Sequence, residues 1–210
     1  YSSNTNVGVA AAGANYAGGA NYLPSSAAGS FIIAKAPTTT TISCGVGPFA
    51  YTGAAIEPCA ATVSGPGGLS HAVPVTYADN LEAGTASVSA SFAGGINYLL
   101  SSGTATFTIA PAATTTVVTC SGGPFSYSGV AFTPCAAQVS GPNGWSEVRP
   151  VVYANNTGAG TASASAGYTG TANYAASSGT ATFAIAKAPT VTVVICAAGP
   201  FTVTGSAIEP

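Results

Sequence analysis

Three cysteines, Cys44, Cys120 and Cys196, stand at equal intervals of 76 residues. Other residues keep the same step: Phe31, Phe107 and Phe183; Tyr22, Tyr98 and Tyr174; Tyr1, Tyr77 and Tyr153; Pro58, Pro134 and Pro210. The phrase GPFAYTGAAIEPC (residues 47–59) returns as GPFSYSGVAFTPC (123–135) and again as GPFTVTGSAIEP (199–210). No insertion or deletion breaks the register. The period is longer than that of most solenoid repeats and suits a small domain with its own core.

Boundaries are expected where a proline separates strand-like runs, at AKAPT (34–38), APAAT (110–114) and AKAPT (186–190). Proline fixes φ and stiffens an extended joint. The expected organisation is therefore the C-terminal part of a repeat (1–35), two complete repeats (36–111 and 112–187) and the N-terminal part of another (188–210). The two partial pieces together are shorter than one period and could not complement each other into a whole domain. Both ends are expected to be cuts in a longer array, with a cysteine at position 211.

The hydrophobic pattern within a period alternates. In TASVSASF (85–92), Ala86, Val88, Ala90 and Phe92 face one way and Thr85, Ser87, Ser89 and Ser91 the other. TASASAGY (161–168) does the same with Ala162, Ala164, Ala166 and Tyr168, and TATFTIA (104–110) with Ala105, Phe107 and Ile109. Such a period of two marks half-buried strands. CAATVSG (59–65), VPVTYA (73–78) and TTTTISC (38–44) read as further strands, separated by turn signals such as SGPGG, SGPNG and SSG. No capped apolar stripe at helical spacing appears. Six or seven short strands per period predict an all-β chain of antiparallel β-sandwich repeats.

A core rich in alanine is thin, and the cysteines offset this. Cys44 shares a face with Thr40 and Ile42, and Cys59 with Ala61 and Val63. The spacing predicts disulfides Cys44–Cys59 and Cys120–Cys135 within each complete repeat, with Cys196 left to a partner outside the sequence. Inter-chain bridges and a zinc site are the rival readings. Zinc would need four ligands, and His71 is the only histidine. Disulfides imply an oxidising compartment outside the cytosol.

Only 4% of the 210 residues are charged, and the net charge is -2. Nucleic acid is excluded as a partner, because phosphate binding needs clustered Lys and Arg and only Lys35, Arg149 and Lys187 exist. No apolar run approaches the length of a membrane-spanning helix. Weak mutual repulsion between nearly uncharged surfaces favours lateral association.

The phrases PFAYTGAAIEPCAATVSGPGG and GTASVSASFAGGINYLLSSGTATFTIAP resemble the MBG-type and related bacterial immunoglobulin-like repeats of very large surface proteins. The residues that carry the likeness are Phe49, Tyr51 and Gly53 with Phe125, Tyr127 and Gly129. They also include the VSGP corners (63–66 and 139–142), the pairs Asn97-Tyr98 and Asn173-Tyr174, and the SGTATF strand. The resemblance covers the whole chain and implies immunoglobulin-like repeats of extracellular stalks, adhesins or surface fibres, without catalytic residues. Two departures stand out. Thr52 and Ser128 occupy a position where an acidic or amide residue is common, and the cysteine pair is not general to the family.

A repeated activity should leave repeated chemistry, and none is seen. Glu57 gives way to Thr133, His71 to Glu147, Asp79 to Asn155, and Glu82 to Gly158. No cofactor, calcium site or catalytic triad is expected, and His71 reads as an exposed turn residue. Lys35 and Lys187 read as solvated linker lysines rather than isopeptide donors, since Pro111 stands at the middle position. The outward Ser and Thr rows read as an ordinary solvated face, with O-glycosylation and flat-surface or ice binding as alternatives. The single sequon, Asn155-Asn156-Thr157, has no counterpart. Trp145, standing where Leu69 stands one period earlier, is a loop aromatic suited either to an external contact or to a partly buried anchor. Some tyrosines are expected to cover the joint between repeats. The expected function is a structural component of an extracellular bacterial fibre, sheath or stalk that associates with identical chains. The alternatives are an adhesin binding carbohydrate or a surface, and an accessory region of an enzyme whose catalysis lies elsewhere.

Overall fold

A computed structural model describes residues 1–209; Pro210, the third member of the proline series, lies outside them. The chain is all-β, with helical geometry confined to single turns at Pro66–Gly68 and Pro142–Gly144. It divides into two compact units. The first comprises Tyr1–Thr115, Val139–Glu147 and Tyr168–Ser177; the second comprises Thr116–Gln138, Val148–Gly167 and the described residues from Ser178.

In the first unit β1 (Gly8–Tyr16) and β2 (Ser25–Ile33) form an antiparallel hairpin. Seven strands follow: β3 (Thr39–Cys44), β4 (Phe49–Ala50), β5 (Cys59–Gly65), β6 (Leu69–Val73), β7 (Val75–Ala78), β8 (Gly84–Phe92) and β9 (Ser101–Ala110). They make two sheets, β3-β5-β6 and β4-β9-β8-β7. All neighbours are antiparallel except β4, which runs parallel to the end of β9. Apolar side chains from both sheets share one buried layer, built of Cys59, Ala86, Val88, Phe107 and Ile109. It continues into Ala61, Val63, Val73 and Ala90. This arrangement is consistent with a β-sandwich.

The alternation expected of β8 holds. Ala86, Val88 and Ala90 are buried, Phe92 is half-buried, and the Ser and Thr between them are exposed. Two expectations change at Pro74. VPVTYA is not one strand, because proline has no N–H to give the ladder. The chain leaves the β3-β5-β6 sheet at Val73 and enters the other sheet at Val75. His71 accordingly lies in strand β6 rather than in a turn, with its ring edge-on to Phe92 at 5.5 Å. At Gly103 a Cβ would come within 2.6 Å of the Thr40 carbonyl oxygen. The backbones of β9 and β3 approach so closely there that no side chain fits.

The bridge Cys44–Cys59 forms as expected, with a separation of 15 residues. The two cysteines are directly opposed on β3 and β5, so the bridge ties neighbours within one sheet. The facing sheets are tied by a different group. The Tyr77 hydroxyl, from β7, accepts the Cys59 N–H at 2.9 Å and donates to the Cys59 carbonyl at 2.8 Å. Both backbone groups of a buried cysteine are thereby satisfied by one side chain.

The later strands are β10 (Thr115–Cys120), β11 (Phe125–Ser126), β12 (Cys135–Ser140), β13 (Ser146–Arg149), β14 (Val152–Ala154), β15 (Gly160–Tyr168) and β16 (Ser177–Ala186). Their sheet orders are β10-β12-β13 and β11-β16-β15-β14. Within the second unit the buried clusters are Val118, Ala137, Ala164 and Ala166, and Ala162, Phe183 and Ile185. Phe132 stacks on Phe125 at 5.1 Å, and Phe125 meets Phe183 edge-on at 5.8 Å. Cys120 is bridged to Cys135. The Tyr153 hydroxyl accepts the Cys135 N–H and donates to its carbonyl, both at 2.9 Å. Residues 187–209 hold no strand, although TVTVVIC resembles the TTTTISC of β3. A strand of that kind takes its ladder from a partner such as β5, and among the described residues this segment has none.

Candidate functional site

The Asn-Tyr pair stands at the tip of a glycine turn. Gly94, at φ +83°, opens the turn that leads from β8 to β9, and Gly95 N–H closes it on the Tyr98 carbonyl at 3.1 Å. A Cβ on Gly94 would sit 2.8 Å from that same carbonyl oxygen, so only glycine fits. Gly170 repeats the geometry with φ +83° and a closing bond from Thr171 N–H to the Tyr174 carbonyl at 2.9 Å. Gly18 does so with φ +82° and a bond from Gly19 N–H to the Tyr22 carbonyl at 2.9 Å.

The bases of the Gly94 and Gly170 turns are held by segments expected to be stiff, extended proline joints. Ala36 N–H donates to the Asn97 carbonyl, and Leu99 N–H to the Ala36 carbonyl, both at 2.8 Å. Thr38 Oγ1 bonds the Leu99 carbonyl at 3.0 Å. Ala112 stands in the same relation to Asn173 and Ala175, with both bonds at 2.8 Å, and Thr114 Oγ1 bonds the Ala175 carbonyl at 2.8 Å. The boundary segments at Ala36 and Ala112 therefore form short parallel bridges to the Asn-Tyr turns. Lys35 Nζ donates to the Gly95 carbonyl at 2.8 Å, and Pro111 offers no such contact.

A turn held this way presents its asparagine outward. The Asn97 side chain accepts the Val7 N–H at 3.0 Å and donates to Asn6 Oδ1 at 2.8 Å. The Asn173 side chain accepts the Ala83 N–H at 2.9 Å and donates to Glu82 Oε2. Each amide thus uses its acceptor on a backbone N–H and a donor on the side chain just before it, a two-point clip that a carboxylate, having no donor, could not make. Val7 and Ala83 are the residues immediately before β1 and β8.

Aromatic packing adds to the Asn173 clip. Tyr174 meets Tyr51 edge-on at 5.6 Å and stacks on Trp145 at 4.3 Å. Trp145 also touches Tyr168 at 5.3 Å. Asn143 Nδ2 donates to the Thr52 carbonyl. Loss of surrounding water pushes the Tyr174 phenol above its ordinary value, with the Tyr51 and Tyr168 phenols adding to the effect. Trp145 is half-buried, so it serves as the anchor of this cluster. Tyr98 differs: its hydroxyl donates to the Pro66 carbonyl at 2.9 Å.

Of the sequence-selected cysteines, four are bridged, and Cys196 is an exposed free thiol. The outward hydroxyls Thr76, Ser87, Ser89, Thr104 and Thr106 are exposed on one face of β7, β8 and β9. Among the described residues no group of His, Cys, Asp and Glu is placed to hold a metal ion. No helix among them is long and apolar enough to cross a membrane. Sequence reading selected the Asn-Tyr pair by resemblance alone and missed what it grips. Asn6 and Glu82 differ in type while both supply an oxygen, so a search for identical chemistry passes over them. Searched against family models, curated proteins and solved structures, the chain has no match.

Proposed function

We propose that the chain is a run of immunoglobulin-like β-sandwich repeats with a 76-residue period, split near 36–111 and 112–187, in a structural fibre, sheath or stalk outside a bacterial cell. The observation that carries this reading is the recurrence of one clip: Asn97 on Asn6 and Val7, Asn173 on Glu82 and Ala83. In the proposed division each clip joins one repeat to the next. A protein that only needed tethered beads would have no use for side chains dedicated to the joint.

The mechanism is mechanical. Stretching or bending must break the clip, whose hydrogen bonds each contribute about 1 kcal/mol. Opening a repeat must also separate sheets held by Tyr77 or Tyr153. The bridges Cys44–Cys59 and Cys120–Cys135 limit how far an opened repeat can extend. A sequence with 4% charge has little electrostatic repulsion to keep neighbouring chains apart, which suits a packed extracellular layer.

Immunogold labelling of intact source cells with antibody to this chain tests the assignment. Label along extracellular filaments or a sheath is expected. Label confined to the cell interior would remove it.

A further inference from the structure

Two tyrosines meet ring to ring beside the Asn173 clip. The centroids of Tyr51 and Tyr174 are 5.6 Å apart, with an interplanar angle of 83°. Both backbones are fixed. Tyr51 N–H donates to the Ala110 carbonyl at 2.8 Å, and the Tyr174 carbonyl closes its own turn by accepting Thr171 N–H at 2.9 Å. The Asn173 amide holds that turn against Ala83. Loss of surrounding water raises the Tyr174 phenol, and the Tyr51 phenol raises it further, which places the two hydroxyl ends near each other. In a phenol the ortho carbons flank the carbon that bears the hydroxyl, so the ortho edges of the two rings converge as well. Both residues are half-buried, so solvent reaches them.

We propose that Tyr51 and Tyr174 form an oxidative cross-linking site, at which a carbon–carbon bond joins the two rings as a dityrosine within one chain. The oxidant is hydrogen peroxide acting through a haem peroxidase. One electron leaves each phenol, and each phenol releases its hydroxyl proton. The two phenoxyl radicals pair through one ortho carbon of each ring. The hydrogen on each joined carbon then moves to its ring oxygen, which restores both phenols. One peroxide takes up the two electrons and two protons and leaves as two waters, so the chain ends two hydrogens lighter.

Proximity decides the partner. A radical on an exposed ring such as Tyr16 or Tyr22 must find another chain. A radical on Tyr174 has Tyr51 beside it, at the high effective concentration of a tethered neighbour. Tyr77 and Tyr153 are held apart from this chemistry by their bonds to the Cys59 and Cys135 backbones. In the proposed division Tyr51 and Tyr174 belong to successive repeats, so the new bond makes permanent the joint that Asn173 only clips. The coupling itself does not depend on the fibre assignment.

Peptide mapping of the oxidised chain tests the site. Dilute protein in a Cys196→Ser background is treated with a haem peroxidase and limiting hydrogen peroxide, and the monomer is isolated. A monomer two hydrogens lighter is expected, with dityrosine fluorescence and a linked peptide pair containing Tyr51 and Tyr174. Tyr51→Phe keeps the ring and should abolish the monomer's fluorescence, whereas Tyr127→Phe should leave it unchanged. Asn173→Ala, which frees the turn, should lower the yield. Fluorescence confined to dimers and larger species, a Tyr168–Tyr174 pair in its place, or an equal monomer yield from Tyr51→Phe would overturn the proposal. The same peptide pair should be present in the chain taken directly from its source cells, and its absence there would remove a native role for the site.

Discussion

The clips at Asn97 and Asn173 are made by the same amide in the same turn, but they grip different things. Asn97 finds an amide oxygen at Asn6, and Asn173 finds a carboxylate at Glu82. The Asn173 clip is also backed by Tyr51, Tyr174 and Trp145, whereas Tyr98 spends its hydroxyl on Pro66. What stays constant is the asparagine and the backbone N–H it accepts. A backbone donor is present at every residue but proline, so the contact survives most sequence change on the gripped side. The variable part, acceptor and aromatics, adjusts the strength of a joint without altering its geometry.

The largest effect expected from breaking either region concerns the units that carry the clips. Removing one bridge by Cys44→Ala/Cys59→Ala should cost about 3 kcal/mol for a loop of this length, seen as a lowered calorimetric Tm. The clip at Asn97 should persist, since the bridge lies within the β3-β5-β6 sheet. Next in size is Asn173→Ala, which strands the Ala83 N–H and a carboxylate. A loss of roughly 1–2 kcal/mol should speed amide exchange at Ala83 by about 5–30-fold and leave Val7 unchanged. Asn97→Ala should do the reverse. Smaller again is Glu82→Gln, which turns one acceptor into the other kind. Charge-assisted bonds are about twice as strong as neutral ones. The change should therefore cost less than about 1 kcal/mol and bring exchange at Ala83 close to that at Val7. Smallest is Trp145→Leu, which installs the residue found at Leu69, keeps apolar cover on Tyr174 and should loosen it by only about 0.5 kcal/mol, the low end for an aromatic pair, read as faster ring flipping by NMR.

Much of this molecule was legible in its sequence because period-two alternation and cysteine spacing are direct physical constraints. The inward faces of β5, β8 and β9 and both bridges followed from them. The strand break at Pro74 was legible in principle, since a proline without an N–H cannot continue an interior ladder, but the apolar run on both sides concealed it. The layer-to-layer bond from Tyr77 to Cys59 was not legible, because a recurring tyrosine looks the same whether its ring or its hydroxyl matters. The joint was half visible. Asn97 and Asn173 recur, while their targets are a backbone N–H and an oxygen that belongs to asparagine in one place and glutamate in another. Tertiary contacts to backbone leave no mark on residue identity.

Amide exchange in the dilute wild-type chain tests the joint most directly, because three equivalent positions provide their own control. Val7 and Ala83 N–H groups are gripped by asparagine, and Ala159 is an exposed residue whose N–H has no such partner among the described residues. Slow exchange at Val7 and Ala83 with fast exchange at Ala159 is the expected result. Equal exchange at all three positions would contradict the account.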